Sequence, residues 1–142
     1  MIDKFNGEYF FLSNFYPSTI ILEGKTYRSV EHAFQAMKTL DEHERAEIRK
    51  AETPSEAKRL GRKATLRKDW ESIKLKVMED CLRLKFKIDH LKIRLLKTGS
   101  EELVEGNNWR DFWWGVCNGK GQNNLGKILM KIREEINGED NS

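Results

Sequence analysis

Apolar and polar residues form short alternating runs over the first thirty residues, a pattern typical of β-strands. Three runs have this character, at residues 9–12, 19–22 and 25–28. The last two flank Glu23-Gly24, which predicts a two-residue hairpin turn because glycine tolerates a positive φ angle. We therefore expect a small N-terminal sheet.

From Ser29 onward the apolar residues recur every three or four positions, which indicates helices. Ser29 can cap a helix that runs to about Thr39. Thr53-Pro54-Ser55-Glu56 has the composition of a capping box and predicts a second helix that stops near Gly61. Three further helices are predicted from about residue 69, over residues 91–96, and after residue 124.

Residues 102–105 and 112–114 are apolar enough for short strands or extended segments. The pattern as a whole predicts an α+β fold that is mostly α-helical with a small sheet. A length of 142 residues suits one domain, and neither a linker nor an internal repeat divides the chain. We expect one domain over residues 1–136 and a frayed polar tail over residues 137–142.

The charge balance and the cysteines restrict the classes of function. Charged residues make up 35% of the chain, both signs are interspersed, and the formal net charge is only +3. Such a surface can accept phosphates but does not demand nucleic acid. Cys81 and Cys117 are far apart and no histidine lies at ligand spacing. We therefore expect no metal site and no cofactor.

The first residues lack the apolar core of a signal peptide, and no apolar run approaches membrane-spanning length. We therefore expect a cytoplasmic protein that makes no membrane contact.

Three polar residues share one side of the first predicted helix. Glu31, Gln35 and Lys38 are spaced i, i+4 and i+7, and they border the apolar stripe of that helix. A carboxylate, an amide and an amine placed there can point into one cleft. The alternative is an exposed face with a weak side-chain ladder. His32 lies off this strip and is interpreted as a structural histidine.

Residues 105–116 are unusual for a structural loop because three tryptophans fall within six residues, beside Asn, Arg and Asp. Flat rings next to hydrogen-bonding groups suit a heteroaromatic ligand. The alternative is that the tryptophans lock the loop onto the core, and for Trp113 we prefer it. Residues 118–127 are glycine-rich and open a helix, so they can bind phosphate or serve as a plain turn.

Five motifs occur in order between about residues 5 and 133. Together they resemble the NADAR (YbiA-like) domain family. They are Leu12-Ser13-Asn14-Phe15, the run from Ser29 to Lys38, Ala57-Lys58-Arg59-Leu60-Gly61, Trp109-Arg110-Asp111 with Trp114-Gly115, and Asn124-Leu125-Gly126. The resemblance implies a mostly helical N-glycosidase that acts on ribosylated amines. Two substrate classes are implied: phosphoribosylamino-pyrimidine intermediates of riboflavin synthesis, and ADP-ribose on the amino group of guanine.

The resemblance also implies residue roles. The catalytic residues would be Glu31, Lys38 and Asp111, two carboxylates for acid–base work and an amine that is either a cation or a nucleophile. Substrate-binding residues would be Asn14, Arg28, Gln35, Asn108, Trp109, Trp114, Gly115, Asn123 and Asn124, with Lys58 and Arg59 as further phosphate candidates. DNA would be a transient partner in the case of ADP-ribosylated guanine.

Two other classes of function remain open from the sequence. One is a non-catalytic module that binds ADP-ribose or NAD with the same residues. Two carboxylates and an amine argue for the enzyme, because a binder has no need of them. The other is a small basic nucleic-acid-binding protein, against which the modest net charge argues.

Overall fold

The computed structural model describes residues 1–140. They form six α-helices, one 3₁₀ helix and one two-stranded sheet, which confirms the predicted mostly α-helical α+β class. In chain order the elements are the 3₁₀ helix Gly7–Leu12, β1 Ile20–Leu22, β2 Lys25–Tyr27, α1 Val30–Ala36, α2 Glu42–Lys50, α3 Pro54–Lys63, α4 Trp70–Lys85, α5 Asp89–Lys97 and α6 Asn124–Asp140.

Two compact units divide the chain. The central unit is Asn14–Lys85 and contains the sheet and helices α1–α4. The terminal unit combines Met1–Ser13 with the described part of Phe86–Ser142 and contains the 3₁₀ helix, α5 and α6. None of the helices within residues 1–140 has both the length and the apolar character that crossing a bilayer requires.

The predicted hairpin is confirmed. β1 and β2 pair antiparallel with Ile20 opposite Tyr27, and Glu23 and Gly24 both have positive φ angles, of 49° and 77°. This backbone is that of the hairpin turns whose twist matches the strands.

The strand predicted at residues 9–12 is wrong, because this segment lies in the 3₁₀ helix. Tyr9 N donates to Asn6 O and Ser13 N to Phe10 O, which are bonds between residues three apart. The buried side chains are the neighbours Phe11 and Leu12, whereas a strand would bury alternate positions.

Helix α1 begins as predicted, since the Ser29 hydroxyl accepts from the His32 amide, but it ends at Ala36 instead of Thr39. The cause is the start of α2, an element that the pattern did not predict. Asp41 caps α2 by accepting from the Glu44 amide, and the Thr39 hydroxyl donates to the Glu44 carboxylate at 2.6 Å. These bonds turn the chain immediately after α1.

Helix α3 has the predicted Thr53 cap but continues past Gly61 to Lys63. Gly61 serves packing instead of termination. A β carbon there would collide with the side-chain amide of Gln35, so only glycine lets α3 lie this close to α1. Helix α5 ends before Gly99, which has a φ of 65° as its predicted closing role requires.

The terminal unit has isolated backbone bridges at the places where we expected short strands. Ile2 pairs with Leu103 and Gly106 with Val116, while the expected segment 112–114 forms no strand and residues 113–115 are bends. Helix α6 begins as predicted and buries its predicted face: Leu125, Ile128, Leu129, Ile132 and Ile136. It continues to Asp140, so residues 137–140 of the expected tail are helical, and residues 141–142 lie outside the described residues.

Candidate functional site

Glu31 and Gln35 lie on the buried side of α1 in the central unit. Their exposed fractions are 7% and 4%, and Gln35 Nε2 donates to Glu31 Oε1 at 3.5 Å. The alternative of an exposed side-chain ladder is therefore wrong for this pair. Burying a carboxylate and an amide costs free energy unless hydrogen bonds or ion pairs compensate it.

Lys38 lies beyond the end of α1, so the helical spacing that placed it beside Glu31 does not extend this far. A turn holds it instead: Lys38 N donates to Gln35 O at 3.2 Å, and Arg67 N donates to Lys38 O at 2.8 Å. The Nζ atom lies 6.0 Å from the centroid of the Phe34 ring. Lys38 is thus a half-buried lysine against an aromatic wall.

The surroundings of Lys38 favour its neutral form. Burial is the main cause that lowers its pKa; the carboxylate of Glu31 opposes this effect, and nearby cations add to it. These cations are Arg62, Lys58 and Lys74. A lysine with a lowered pKa has a larger share of the free amine, which is the nucleophilic form.

Asn14 joins the same cluster. Its backbone oxygen accepts from the Glu31 amide at 3.1 Å, and its Nδ2 donates to the sulfur of Met78 at 3.5 Å. Asn14 Oδ1 and Gln35 Oε1 are buried and have no hydrogen-bond partner within the described chain. Buried acceptors are nearly always satisfied, so these two atoms mark a place where a ligand can donate.

Helix α4 contributes a residue that the sequence reasoning missed. The three-to-four-residue spacing predicts a buried stripe of Trp70, Ile73, Val77, Cys81 and Leu84. Trp70 and Cys81 are buried as predicted, whereas Ile73, Val77 and Leu84 are half-exposed. The other buried residues of α4 are Met78, Leu82 and Lys85.

Lys85 has no exposed surface, and its Nζ lies 5.7 Å from the centroid of the Tyr16 ring. Burial lowers its pKa to about 7. Burial and the charges of Asp80 and Glu31 raise the pKa of the neighbouring Cys81 thiol to about 12. The charge of Glu31 therefore acts on the buried face of α4, and this face carries a second lysine with a lowered pKa. The only sequence signal was its helical spacing of seven from Met78.

His32 is structural, as expected. Its Nε2 lies 2.9 Å from Ala51 O and its Nδ1 lies 2.7 Å from the Ser29 hydroxyl. Because a carbonyl only accepts, Nε2 donates and Nδ1 accepts. Burial lowers the pKa of His32. Both ring nitrogens are therefore used within the fold.

The arginines predicted to bind phosphate have partners within the central unit. Arg28 is exposed and its Nη1 donates to Ala51 O at 3.1 Å. Arg59 pairs with Glu56 and lines a shallow depression of about 540 Å³ that includes none of Glu31, Gln35 and Lys38. The structure therefore does not bring Arg59 into the cluster around Glu31.

The tryptophan loop belongs to the terminal unit and is held by its own polar side chains. Asn107 Oδ1 accepts from the Asp111 amide and Asn107 Nδ2 donates to Asp111 O, both at 3.0 Å. Asp111 Oδ1 in turn accepts from the amides of Trp113 and Trp114, at 3.2 and 2.9 Å. Asn107 was not predicted, although asparagines commonly close turns in this way.

The aromatic residues of this loop differ in exposure. Trp109 is 58% exposed, Phe112 41% and Trp113 39%, whereas Trp114 is half-buried and meets Trp113 edge to face with ring centroids 6.3 Å apart. The interpretation of Trp113 as a core anchor is therefore wrong. Asn108, the polar residue beside Trp109, is also exposed.

Asn123, predicted to bind substrate, is buried and both ends of its amide are used. Oδ1 accepts from the Glu105 amide and Nδ2 donates to Leu103 O, both at 3.0 Å. Gly115 is required nearby, because a β carbon would collide with Glu105 O. These residues fasten the loop to the segment at 103–105.

The start of α6 is likewise engaged within the fold. The Asn124 amide donates to Trp113 O at 3.2 Å and the Leu125 amide to Trp114 O at 3.0 Å. Helix-start amides bind phosphate only when they are free to point at it. The phosphate site expected at this turn therefore lacks these two donors.

Comparison with known proteins gives a consistent result. The NADAR domain model matches residues 3–137. N-glycosidase YbiA of Shigella sonnei is 44% identical over 134 residues, covering 92% of this chain and 84% of the relative. A riboflavin biosynthesis protein of Vibrio vulnificus is 40% identical over 129 residues, covering 89% of this chain and 35% of the relative. The NMR structure of the E. coli protein YbiA matches with a TM-score of 0.86 and 41% identity, over 99% of this chain and 89% of that one. The chain therefore belongs to the NADAR family.

Proposed function

We propose that this protein is an N-glycosidase that hydrolyses the bond between C1 of a ribose and an exocyclic amine. The observation that carries the proposal is the cluster of buried Glu31 and Gln35 with half-buried Asn14, next to a lysine whose pKa is lowered by burial. The printed names of relatives that align over most of this chain, such as N-glycosidase YbiA, support the same reaction class.

The cluster suits a ribosylated amine because such a substrate is rich in hydrogen-bond donors. Ribose hydroxyls and the amine N–H can donate to Asn14 Oδ1 and Gln35 Oε1, the two buried acceptors without a partner in the described chain. Substrate binding would then remove the cost of leaving these acceptors unsatisfied.

Lys38 supplies a nucleophile in this proposal. The ribose ring opens as its C1–O bond breaks, which leaves a C1=N iminium to the exocyclic amine. The neutral amine of Lys38 forms a bond to C1, and after a proton transfer the exocyclic amine departs with the bonding pair. Water then adds to the C1 iminium of Lys38 and expels the lysine, and the released ribose aldehyde closes its ring again.

Glu31 moves protons in these steps, because its carboxylate lies close enough to Lys38 to act on the pKa of the lysine. Asp111 is the second carboxylate that the family resemblance implies. One of its oxygens holds the tryptophan loop, and its other oxygen makes no hydrogen bond within residues 1–140. Its catalytic role therefore stays a prediction.

Two substrates fit the proposed reaction: ADP-ribose on the guanine amino group, and a phosphoribosylamino-pyrimidine. Both present ribose C1 bonded to an amine beside a flat heterocycle and phosphate. The name of the Vibrio vulnificus relative points to the second, although this chain aligns with only 35% of that protein. A cytoplasmic location and activity without a metal also stay predictions.

The test is to incubate the purified protein with each substrate, follow base release, and add sodium borohydride during turnover. We expect a covalent sugar adduct on Lys38 that mass spectrometry can locate. Lys38→Arg should lose the adduct and most of the activity, because guanidinium stays protonated. Lys76→Arg, the same substitution on the exposed side of α4, is the control and should leave both unchanged.

Two results would contradict the proposal. An active Lys38→Arg enzyme without an adduct on the wild type would leave Lys38 as a cation and assign the reaction to carboxylates. Binding of ADP-ribose without release of base from either substrate would favour the non-catalytic module.

A further inference from the structure

Further positive charge surrounds the amine of Lys38 in the central unit. The cations that act on it are Arg62, Lys58 and Lys74, and they must lie near this amine because solvent screens distant charges. Like charges gathered around one point repel each other, and a bound anion relieves the repulsion. We propose that Lys58, Arg62 and Lys74 bind the phosphate group on C5 of the ribose whose C1 reacts, and we call them the phosphate subsite. This inference deepens the proposed function and rests on it.

Helix α3 presents two of these cations beside Gln35. Its buried residues are Ala57 and Gly61, and a β carbon on Gly61 would collide with the Gln35 amide of α1. Lys58 and Arg62 directly follow these two buried residues and are four positions apart, so their side chains are neighbours at the border of the buried face. The exposed guanidinium of Arg62 makes no ion pair within residues 1–140, so it is available to an incoming anion. Of the two, only Lys58 was expected from the sequence to bind phosphate.

Helix α4 presents the third cation, and a series of aromatic contacts places it. The Lys38 Nζ atom lies 6.0 Å from the centroid of the Phe34 ring, which in turn lies 5.0 Å from that of Trp70 at the start of α4. Lys74 is one helical turn beyond Trp70 on the same side of α4. Its Nζ atom is 2.6 Å from a carboxylate oxygen of Glu71, which is 77% exposed, and such a pair contributes little stability. A phosphate can therefore replace Glu71 as the partner of Lys74.

Both candidate substrates carry phosphate at a matching place on the sugar. The phosphate is attached to C5 of the ribose whose C1 bears the amine, as a monoester in the phosphoribosylamino-pyrimidine and as a diphosphate in ADP-ribose. C5 and C1 flank the same sugar ring, so a ribose whose C1 meets Lys38 places its phosphate among the side chains around Lys38. A phosphate offers up to two negative charges and several acceptor oxygens, which suit a group of Lys and Arg donors.

The first experiment measures binding of inorganic phosphate and of pyrophosphate to the purified protein by isothermal titration calorimetry. Arg62→Gln should weaken binding about tenfold, the scale of one charge-assisted hydrogen bond, and Arg62→Lys, which keeps the charge, should retain most of the affinity. Lys63→Gln is the matched control, because it removes one positive charge from the next residue of α3, whose charge acts on Glu56. This control should bind like the wild type.

The second experiment varies the phosphate of the substrate. The first series is guanosine that carries ADP-ribose on its amino group, its phosphoribosyl form after cleavage of the diphosphate, and its ribosyl form after removal of the last phosphate. The second series is the phosphoribosylamino-pyrimidine with and without its phosphate. In the wild type, kcat/KM for base release should fall about tenfold or more when phosphate is lost. The step at which it falls in the first series shows whether one phosphate suffices or the diphosphate is needed.

The preference for phosphorylated substrate is the readout that identifies the subsite. Arg62→Gln should reduce this preference about tenfold, and Lys63→Gln should leave it unchanged. A change that acts only through the pKa of Lys38 or through the fold would alter the rates with both forms alike and leave the preference as it is.

The outcomes separate the phosphate subsite from the proposed function. Equal affinity of wild type and Arg62→Gln for the inorganic anions, no binding of either anion, or a wild-type preference in Arg62→Gln would each overturn the phosphate subsite. Equal kcat/KM with and without phosphate would overturn it too and leave the proposed function standing. Binding of inorganic phosphate that depends on Arg62, without base release from any substrate, would overturn the proposed function and leave the phosphate subsite standing.

Discussion

The cluster on α1 and the tryptophan loop use their polar groups in opposite ways. In the cluster, Asn14 Oδ1 and Gln35 Oε1 are buried and have no partner within the described residues. In the loop, the side chains of Asn107, Asp111 and Asn123 bond to backbone groups that hold the loop in place. Unused buried polar groups indicate chemistry, whereas engaged ones indicate scaffolding. The groups of the loop that remain accessible to a ligand are its exposed aromatic rings, those of Trp109, Phe112 and Trp113.

The largest expected effect comes from the cluster. Glu31→Gln keeps the shape and the hydrogen bond to Gln35 but removes the carboxylate, so kcat should fall about a hundredfold or more, the scale of positioned acid–base catalysis. Base release gives the rate, and circular dichroism with thermal melting verifies the fold. A variant with the wild-type rate would show that the carboxylate is structural, and the contrast between cluster and loop would lose its basis.

The loop carboxylate gives the next test. Asp111→Asn can still accept from the amides of Trp113 and Trp114 through its side-chain oxygen, so the loop should keep its stability. If Asp111 also serves the reaction, turnover should fall about a hundredfold, whereas Asp111→Ala should lose turnover and also lower the melting temperature. Wild-type turnover in Asp111→Asn would assign this residue to scaffolding alone.

A smaller effect is expected at Gly61 in α3, whose missing side chain leaves room for the side chain of Gln35. Gly61→Ala places a methyl group against the Gln35 amide, so Gln35 and its bond to Glu31 must shift. The free energy of unfolding should fall by about 1–3 kcal/mol, the usual cost of overpacking, and kcat/KM should fall about tenfold.

Gly138→Ala is the matched control in α6, where a β carbon meets nothing within 4 Å. This change should stabilise the protein by up to about 1 kcal/mol and leave activity unchanged. If Gly61→Ala behaved like Gly138→Ala, the close approach of α3 to α1 would not matter for the cluster.

The smallest effect on activity is expected at Lys85, where the change concerns stability. Burial lowers the pKa of Lys85 from 10.5 to about 7, so between these values the unfolded chain binds more protons than the folded one. The free energy of unfolding should therefore rise with pH in this window, by up to about 1.4 kcal/mol per pH unit. Lys85→Met should flatten this slope and stabilise the protein near pH 7, as urea unfolding at several pH values would reveal.

Lys76→Met, on the exposed side of α4, should keep the wild-type slope. An unchanged slope in Lys85→Met would show that Lys85 is not the group that titrates.

Local signals in the sequence predicted the parts of the fold that depend on local bonds. The Ser29 and Thr53 caps, the turn at Gly24 and the apolar face of α6 all follow from residues within a few positions of each other. Residues 9–12 have the aromatic and apolar composition that is common in strands, but the 3₁₀ helix that they form depends on burying the adjacent side chains of Phe11 and Leu12.

The site was predictable where it follows helical spacing and unpredictable where tertiary contacts decide it. Glu31 and Gln35 share a helix face that spacing alone identifies. The turn at Lys38 depends on Arg67, and burial of Lys85 depends on how α4 is rotated in its unit. The internal bonds of Asn123 depend on a segment about twenty residues away, which no local pattern reveals.

The order of the units along the chain has a consequence for synthesis on the ribosome. Ile2 exchanges backbone hydrogen bonds of 2.8 Å with Glu102 and Val104, whereas the central unit is continuous over Asn14–Lys85. At roughly 5–20 residues per second, several seconds pass between the emergence of Ile2 and that of its partners. The central unit can fold during this interval, before Ile2 has its hydrogen-bond partners. We therefore expect the α1 cluster of a nascent chain to resist proteolysis before the tryptophan loop has been synthesised.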